Sequence, residues 1–241
     1  MIVKDYVAID LEMTGLNARR DSILEVGAVR VREKKTEAVY QAMIHPHVEL
    51  PDEVIKLTGI TNEMAAQGRE LDEVFAEIAA FCEGFLLLGH NIIFDYGFLK
   101  QAAINRNAAF EHQGIDTLKI ARKLLPPEEK KTLQALCDRY QIQRRRQHRA
   151  MDDALAAKDL YEIFEAEYGK LHPEVFVPEP LAYKAKKQSP ATARQKNHLR
   201  QLADYHHVTL QVPWETLTKN EASRQIDRLI AQYGRMPDPD L

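Results

Sequence analysis

Cysteine and tryptophan are scarce in this 241-residue sequence, which contains two cysteines and one tryptophan. Cys82 and Cys137 lie far apart, each inside an apolar helical pattern. Two isolated cysteines of this kind favour buried free thiols over a disulfide or a zinc site. The pattern therefore indicates a reducing setting, and we expect a cytoplasmic protein.

Long apolar runs are also missing. No stretch approaches the ~20 consecutive apolar residues that a membrane-spanning helix needs. Residues 1–5 lack the apolar segment and cleavage site of a signal peptide. The composition, 45% hydrophobic and 29% charged, is ordinary for a soluble globular protein, and we expect no membrane partner. The length allows one substantial domain and a second, small one.

The net charge of −3 is unevenly distributed along the chain. Residues 1–170 contain 23 Lys and Arg against 28 Asp and Glu, a net charge of −5. Residues 184–235 contain 10 against 4, a net charge of +6. An acidic body with a basic tail suits a protein that holds cations in a cleft and recruits a polyanion elsewhere. A merely solvated tail is the alternative.

The order of the hydrophobic patterns predicts an α/β fold. Three apolar strand-like segments come first and form an expected antiparallel meander, at 7–15, 22–32 and 38–44. Shorter strand patterns follow at 85–88 and 114–116, between helical patterns at 52–57, 71–81, 94–104, 117–125, 132–140 and 151–168. Strands followed by strand–helix alternation predict a mixed central sheet flanked by helices.

The second half of the chain divides into further parts. We predict a main domain over 1–170, a proline-punctuated linker over 171–188 and a small basic helical domain over 189–236. Two helices of the small domain are each preceded by a capping-box pattern, beginning at Thr192 and Thr218. Its basic helices would bind nucleic acid backbone or a protein partner.

Two carboxylates interrupt the first strand pattern. Asp10 and Glu12 lie two residues apart, so both side chains are expected on the same face of the strand. Two buried carboxylates cost several kcal/mol unless they lie at an open strand end and share a cation. An edge strand with acids in water is the alternative for this pair alone.

Further acids and one histidine follow at the ends of predicted elements. Asp95 comes just after the strand at 85–88, and His148, Asp152 and Asp153 precede or begin the helix at 151–168. Oxygen ligands without cysteine favour Mg²⁺ or Mn²⁺ over zinc. Several carboxylates around hard cations predict a two-metal site for in-line attack on a phosphodiester, with a histidine as general base.

Helix geometry distinguishes Asp153 from Asp152. Positions 153, 157, 160, 161 and 164 form a largely apolar stripe, whereas 152, 156, 159 and 163 form a mixed face. Asp153 is therefore the predicted metal ligand, and Asp152 is an acid stabilised by the helix dipole. The arginine run at 144–146 and Arg149 flank His148 and would either bind substrate phosphates or form a solvated loop.

Three motifs, taken together and in order, resemble those of a known family. They are Asp10-Leu-Glu12-x-Thr14-Gly15, His90-Asn91-x-x-Phe94-Asp95 and His148-Arg-Ala-x-x-Asp153. These resemble the DEDDh (DnaQ-like) 3′–5′ exonucleases, in particular the epsilon-type proofreading exonucleases of bacterial DNA polymerase III. Residues 51–61 and 115–118 also resemble that group, and the similarity covers about residues 5–168.

The resemblance implies an RNase H-like sheet, two Mg²⁺ or Mn²⁺ ions and release of nucleoside 5′-monophosphates from single-stranded 3′ ends. It implies metal ligation by four acids, catalysis by these and His148, and substrate binding by a second set. The acids are Asp10, Glu12, Asp95 and Asp153; the substrate-binding set is Thr14, Gly15, His90, Asn91 and Arg149.

The substrate and partner are left with alternatives. Single-stranded DNA is the favoured substrate, and RNA is the alternative because Met13 in the first motif also resembles oligoribonucleases. The other functional hypothesis is a proofreading or adaptor subunit that acts mainly by binding a polymerase or another replication protein. The basic tail would then be the tether.

Overall fold

The protein is described by a computed structural model at residues 3–144, 146–210, 212 and 214–237. It divides into two compact units, Met1–Ala185 and Lys186–Leu241. Within the described residues, no helix is long and apolar enough to cross a membrane.

The first unit contains a six-stranded sheet with the order β3-β2-β1-β4-β5-β6. The strands are β1 (Tyr6–Met13), β2 (Ile23–Arg32), β3 (Lys35–Met43), β4 (Leu86–Gly89), β5 (Gln113–Asp116) and β6 (Glu179–Pro180). The first three form an antiparallel meander, β4 and β5 run parallel to β1, and β6 is antiparallel to β5. The predicted α/β fold with a mixed sheet flanked by helices is confirmed.

Apart from the short helix Asn62–Ala66, which the sequence patterns did not predict, the helices of this unit begin and end close to their predicted bounds. They are α1 (Asp52–Thr58), α2 (Asn62–Ala66), α3 (Leu71–Cys82), α4 (Ile92–Asn105), α5 (Thr117–Leu124), α6 (Leu133–Tyr140) and α7 (Ala150–Tyr168). Both cysteines are free and buried, as predicted.

Strand alternation in β1 separates the hydrophobic core into two layers. Val7 and Ile9 pack into one cluster with α3 and α4. Tyr6 and Ala8 pack on the other face, against α7. Since side chains alternate along a strand, Asp10 and Glu12 continue the face of β1 that α7 covers. The sheet thus directs both acids towards the start of α7.

The predicted linker over 171–188 contains regular structure in its first half. A 3₁₀ turn spans Pro173–Phe176 and buries Phe176 among residues of α7 and α5, and β6 follows it. The first compact unit continues to Ala185. The division into functional domains at 170 and 188 stays a prediction.

The second unit is built on α8 (Ala193–Tyr205) and α9 (Lys219–Tyr233). Both predicted capping boxes are present: Thr192 pairs with Gln195, and Thr218 pairs with Glu221. The two helices bury a small core of their own, formed by Ala191, Leu199, Leu202, Ala203, Leu217, Ala222 and Leu229.

Candidate active site

Asp10 and Glu12 lie near the C-terminal end of β1. In the antiparallel register with β2, Asp10 is opposite Gly27 and Glu12 is opposite Glu25. A Cβ on Gly27 would lie 2.2 Å from the backbone nitrogen of Met151. The glycine therefore allows the first turn of α7 to pack directly on the sheet beside the two acids.

Asp95 reaches the same place from the other side of the sheet. It lies in the first turn of α4, which begins after β4, and β4 runs parallel to β1. Its Oδ1 accepts a hydrogen bond from the backbone N–H of Leu11 at 3.0 Å. This bond places Asp95 between Asp10 and Glu12 along the chain direction of β1, in a nearly inaccessible position, 5% exposed.

The first turn of α7 supplies the fourth acid. Asp153 is 6% exposed, and its helix buries Ala157, Leu160, Tyr161 and Phe164 against the sheet. Asp152 is half-buried on the neighbouring face and accepts a hydrogen bond from the backbone N–H of Arg146 at 2.9 Å. Asp153 is thus the more buried of the two acids, and its role as a metal ligand stays a prediction.

His148 completes the cluster from the loop before α7. One ring nitrogen of His148 and one carboxylate oxygen each of Glu12 and Asp153 all lie within 4.8 Å of one another. His148 has a φ of 54°, in the left-handed region that a non-glycine residue seldom adopts. Such backbone conformations persist where the surrounding structure holds them, often at functional sites.

The carboxylates strongly perturb one another. Burial raises the pKa of Asp10 well above its ordinary value, and the charges of Asp95 and Asp153 raise it further. Burial, with the charges of Asp153 and Glu25, raises the pKa of Glu12 to about 8. Burial likewise raises the pKa of Asp95 to about 7. Clustered carboxylates of this kind are stabilised by divalent cations, and hard oxygen donors suit such ions. The residues present therefore fit a divalent-metal site.

Arg144 brings a positive charge to this cluster. Its Nη1 lies 2.5 Å from Oδ1 of Asp153, and its other amino group binds the side-chain oxygen of Gln134. Only 6% of the Arg144 side chain is exposed. Of the predicted arginine run, Arg144 thus contacts a predicted metal ligand, Arg146 contacts Asp152 through its backbone, and Arg145 lies outside the described residues.

Glu25 is a site residue that the sequence reasoning missed. Its carboxylate accepts hydrogen bonds from Nε and Nη2 of Arg149 at 2.9 and 2.7 Å, from the backbone N–H of Ala150 at 3.1 Å, and from Nε2 of Gln41 at 2.8 Å. Burial alone would raise the pKa of Glu25, but the Arg149 and Gln41 hydrogen bonds hold it below its usual value. The available signal was an acid inside an apolar strand pattern, as for Asp10.

The predicted substrate-binding residues occupy different environments. Arg149 is engaged by Glu25, and the His90 ring binds Thr117 Oγ1 and the Lys131 carbonyl oxygen, each at 2.9 Å. Thr14 and Gly15 follow β1; Thr14 Oγ1 accepts from the backbone N–H of Ser22. Asn91 is exposed at the start of α4, in the left-handed region. Their roles in substrate binding stay predictions.

Clusters of acids that can hold two metal ions occur in phosphatases, polymerases and nucleases. A family model described as RNase_T, exonuclease, matches residues 7–161. The chain belongs to this exonuclease family, as its motifs predict.

Curated relatives agree with this assignment. The chain is 34% identical over 169 residues to the DNA polymerase III PolC-type of Lacticaseibacillus paracasei, covering 70% of this chain and 12% of the relative. It is 39% identical over 152 residues to that of Latilactobacillus sakei, covering 62% and 10%. The chain thus spans about a tenth of the length of these relatives.

Among solved structures, E. coli Exonuclease I in complex with a dT13 oligonucleotide has a TM-score of 0.64 at 18% identity, covering 72% of this chain and 44% of that one. Exonuclease I from Methylocaldum szegediense has a TM-score of 0.59 at 21% identity, covering 72% and 42%. At these identities the likeness establishes the fold.

Proposed function

We propose that this protein is a metal-dependent 3′–5′ exonuclease that removes nucleoside 5′-monophosphates from single-stranded 3′ ends. The observation that carries the proposal is the convergence of four buried or half-buried carboxylates and one histidine at a single strand end. Asp10, Glu12, Asp95 and Asp153 would hold the ions, and His148 would be the general base. The motifs that place them are those of the family to which the chain belongs.

The site would hold two Mg²⁺ or Mn²⁺ ions. This choice rests on the donor set, because the cluster offers carboxylate oxygens and one imidazole and no thiolate. Bound there, divalent cations would lower the pKa of water and offset negative charge on the phosphate.

The protein's own residues supply position and proton transfer. A ring nitrogen of His148 lies beside the carboxylates of Glu12 and Asp153, where it would accept the proton of the attacking water. Glu25 holds Arg149 and the backbone N–H of Ala150, so it fixes the loop that carries His148. The hydrogen bond between Leu11 and Asp95 fixes one ligand against β1.

Single-stranded DNA is the favoured substrate and RNA the alternative. Support for DNA comes from the names of the relatives, which are DNA polymerases, and from the solved neighbour that was crystallised with a dT13 oligonucleotide. The relatives' names also favour a second function, association with a polymerase or another replication protein. The basic second unit would serve either partner, and a cytoplasmic location is part of the same proposal.

The test is digestion of matched 5′-labelled DNA and RNA oligomers with Mg²⁺ or Mn²⁺. Asp10→Asn and Asp153→Asn should each abolish shortening, whereas Asp152→Asn, which removes the neighbouring charge, should retain it. Product analysis should show nucleoside 5′-monophosphates. Undiminished digestion by both ligand variants would refute the assignment, and shortening from the 5′ end would refute the polarity.

A further inference from the structure

A groove of about 490 Å³ opens along one side of α4. Leu16 and Phe94 form one part of its wall, and Tyr183 forms another. Leu16 is 82% exposed although it is a large apolar residue, and it follows the Thr14–Gly15 turn at the end of β1. Phe94 immediately precedes Asp95, so the groove and the carboxylate cluster both use the start of α4.

Tyr183 belongs to a segment that lies beyond the family match at residues 7–161. We call residues 177–185 the strap. β6 pairs with β5, the backbone N–H of Leu181 donates to the carbonyl of His112 at 3.0 Å, and Nη2 of Arg19 donates to the carbonyl of Lys184 at 3.0 Å. The strap is therefore fixed on both sides of Tyr183, to the sheet edge and to the turn after β1.

Two glycines provide room for the strap. A Cβ on Gly97 would lie 3.1 Å from ring carbons of Tyr183, and a Cβ on Gly114 would lie 2.8 Å from Leu181 Cδ1. Gly97 is inside α4, where glycine costs roughly 1 kcal/mol relative to alanine. The Tyr183 ring packs closely on the backbone at Gly97, where a larger residue would collide with it. This contact explains why the helix contains a glycine at this position.

The groove has the chemistry of a base-stacking site. Aromatic rings stack on unpaired bases of any sequence, and positively charged groups nearby follow the backbone of the strand. Phe94 and Tyr183 supply the rings, and Asn17, Arg19 and Asn91 supply polar groups. From Asn91 to Phe98 the helix rises about 10 Å at ~1.5 Å per residue. That length exceeds the ~3.4 Å spacing of bases in a strand, so the groove accommodates more than one base.

We propose that Tyr183 of the strap stacks on an unpaired base of the bound strand, at a nucleotide that precedes the terminal one. Tyr183 packs at Gly97, beyond Phe94 and Asp95 along α4, so the base it meets is farther from the carboxylates than the nucleotide being released. The proposal rests on the exonuclease function and adds a strand-positioning residue outside the catalytic motifs. It makes the strap part of the substrate-binding surface.

The first experiment measures strand binding without hydrolysis. Dissociation constants for a labelled oligothymidylate are determined in EDTA for the wild-type protein, Tyr183→Ala and Tyr183→Phe. Loss of one base–aromatic stack weakens binding at least about five-fold, so Tyr183→Ala should show that loss, whereas Tyr183→Phe keeps the ring and should match the wild type. The slope of log Kd against log salt should be unchanged, because no phosphate contact is lost.

The second experiment locates the base. Oligonucleotides carry one abasic position, second or third from the 3′ end. At one of these two positions, the missing base should weaken binding to the wild type. At that position the missing base should not weaken binding to Tyr183→Ala any further. The p-nitrophenyl ester of thymidine 5′-monophosphate has no preceding nucleotide, so its hydrolysis in Mg²⁺ should be equal in all three proteins. The binding measurements remain decisive even if the protein hydrolyses no ester or strand, which separates this proposal from the proposed activity.

Three results would overturn the proposal. Equal dissociation constants for the wild type and Tyr183→Ala would show that the ring does not meet the strand. An equal loss in Tyr183→Phe would assign the effect to the hydroxyl. A parallel fall in ester hydrolysis would show that the variant disturbs the carboxylate site instead.

Discussion

Replacing Glu12 with Gln should stabilise the metal-free protein while removing a predicted metal ligand. Glu12 is 8% exposed and lies beside the charges of Asp153, Glu25 and Asp95, which with burial raise its pKa to about 8. In the unfolded chain the same group titrates near 4.5. Between these values the folded state binds a proton that the unfolded state releases, so stability falls as the pH rises.

The size of the effect follows from the two pKa values. A difference of one pKa unit corresponds to about 1.36 kcal/mol, so the charge on Glu12 destabilises the metal-free fold by about 4 kcal/mol at pH 8. Glu12→Gln keeps the shape and removes that contribution. For a unit of this size, about 4 kcal/mol raises Tm by on the order of 10 °C. Near pH 5 the gain should fall to about 1 kcal/mol, because Glu12 is still protonated when folded although the unfolded group has already released most of its proton.

Calorimetry in EDTA at pH 5 and pH 8 measures this gain. The single tryptophan, Trp214, lies in the second unit, so its fluorescence reports the unfolding of that unit beside the calorimetric transition. Asp152→Asn is the matched control, since it removes a half-exposed charge one residue from Asp153 and should show no gain at pH 8. Saturating Mg²⁺ should stabilise the wild type more than Glu12→Gln.

A metal-free Glu12→Gln protein that is no more stable than the wild type at pH 8 would refute this reasoning. So would an equal gain at pH 5 and pH 8, because a gain without pH dependence reflects packing and not the removal of a buried charge.

Three further outcomes test other contacts of the site. His148→Ala should lower the rate of strand shortening by about 10²–10⁴-fold, the usual scale for a general base, with metal binding measured by calorimetry to separate a lost base from a lost ligand. Glu25→Ala should lower Tm, because it leaves Arg149 without its buried partner, whereas Glu25→Gln should keep part of the stability; equal losses would show that charge is the whole contribution. The Arg144 guanidinium pairs with Asp153, so Arg144→Met should tighten Mg²⁺ binding to the metal-free protein. An unchanged affinity would show that Arg144 and Mg²⁺ do not compete for Asp153.

Much of the architecture was accessible from the sequence because its signals are local. Strand alternation predicts that Asp10 and Glu12 share a face, and helix periodicity distinguishes Asp153 from Asp152. The start of α4 and the start of α7 follow from the same periodicity. The positions of the four acids near one strand end follow from the fold, which the family motifs identify.

Contacts between distant segments could not be predicted in this way. In the sequence, Glu25 cannot be distinguished from other acids in strand patterns. Its role depends on the strand register, which places it opposite Glu12, and on the start of α7, which brings Arg149 to it. The strap was predicted only as part of a linker, since prolines indicate where regular structure ends and not which surface the chain then follows. No local pattern in the sequence marks Tyr183. Its contact with Gly97 is evident only from the three-dimensional structure.

The carboxylate cluster and its surroundings have opposite energetic roles. Asp10, Glu12 and Asp95 have raised pKa values, so the metal-free fold is least stable where these acids are charged. Glu25 has a lowered pKa because Arg149 and Gln41 satisfy it, so its charge favours the fold. The protein therefore stabilises the charge of Glu25 with an arginine, whereas burial and mutual repulsion outweigh the nearby cations at Asp10, Glu12 and Asp95. Such an arrangement favours any state in which divalent ions supply the missing charge, and it couples metal binding to the stability of the loop that carries His148.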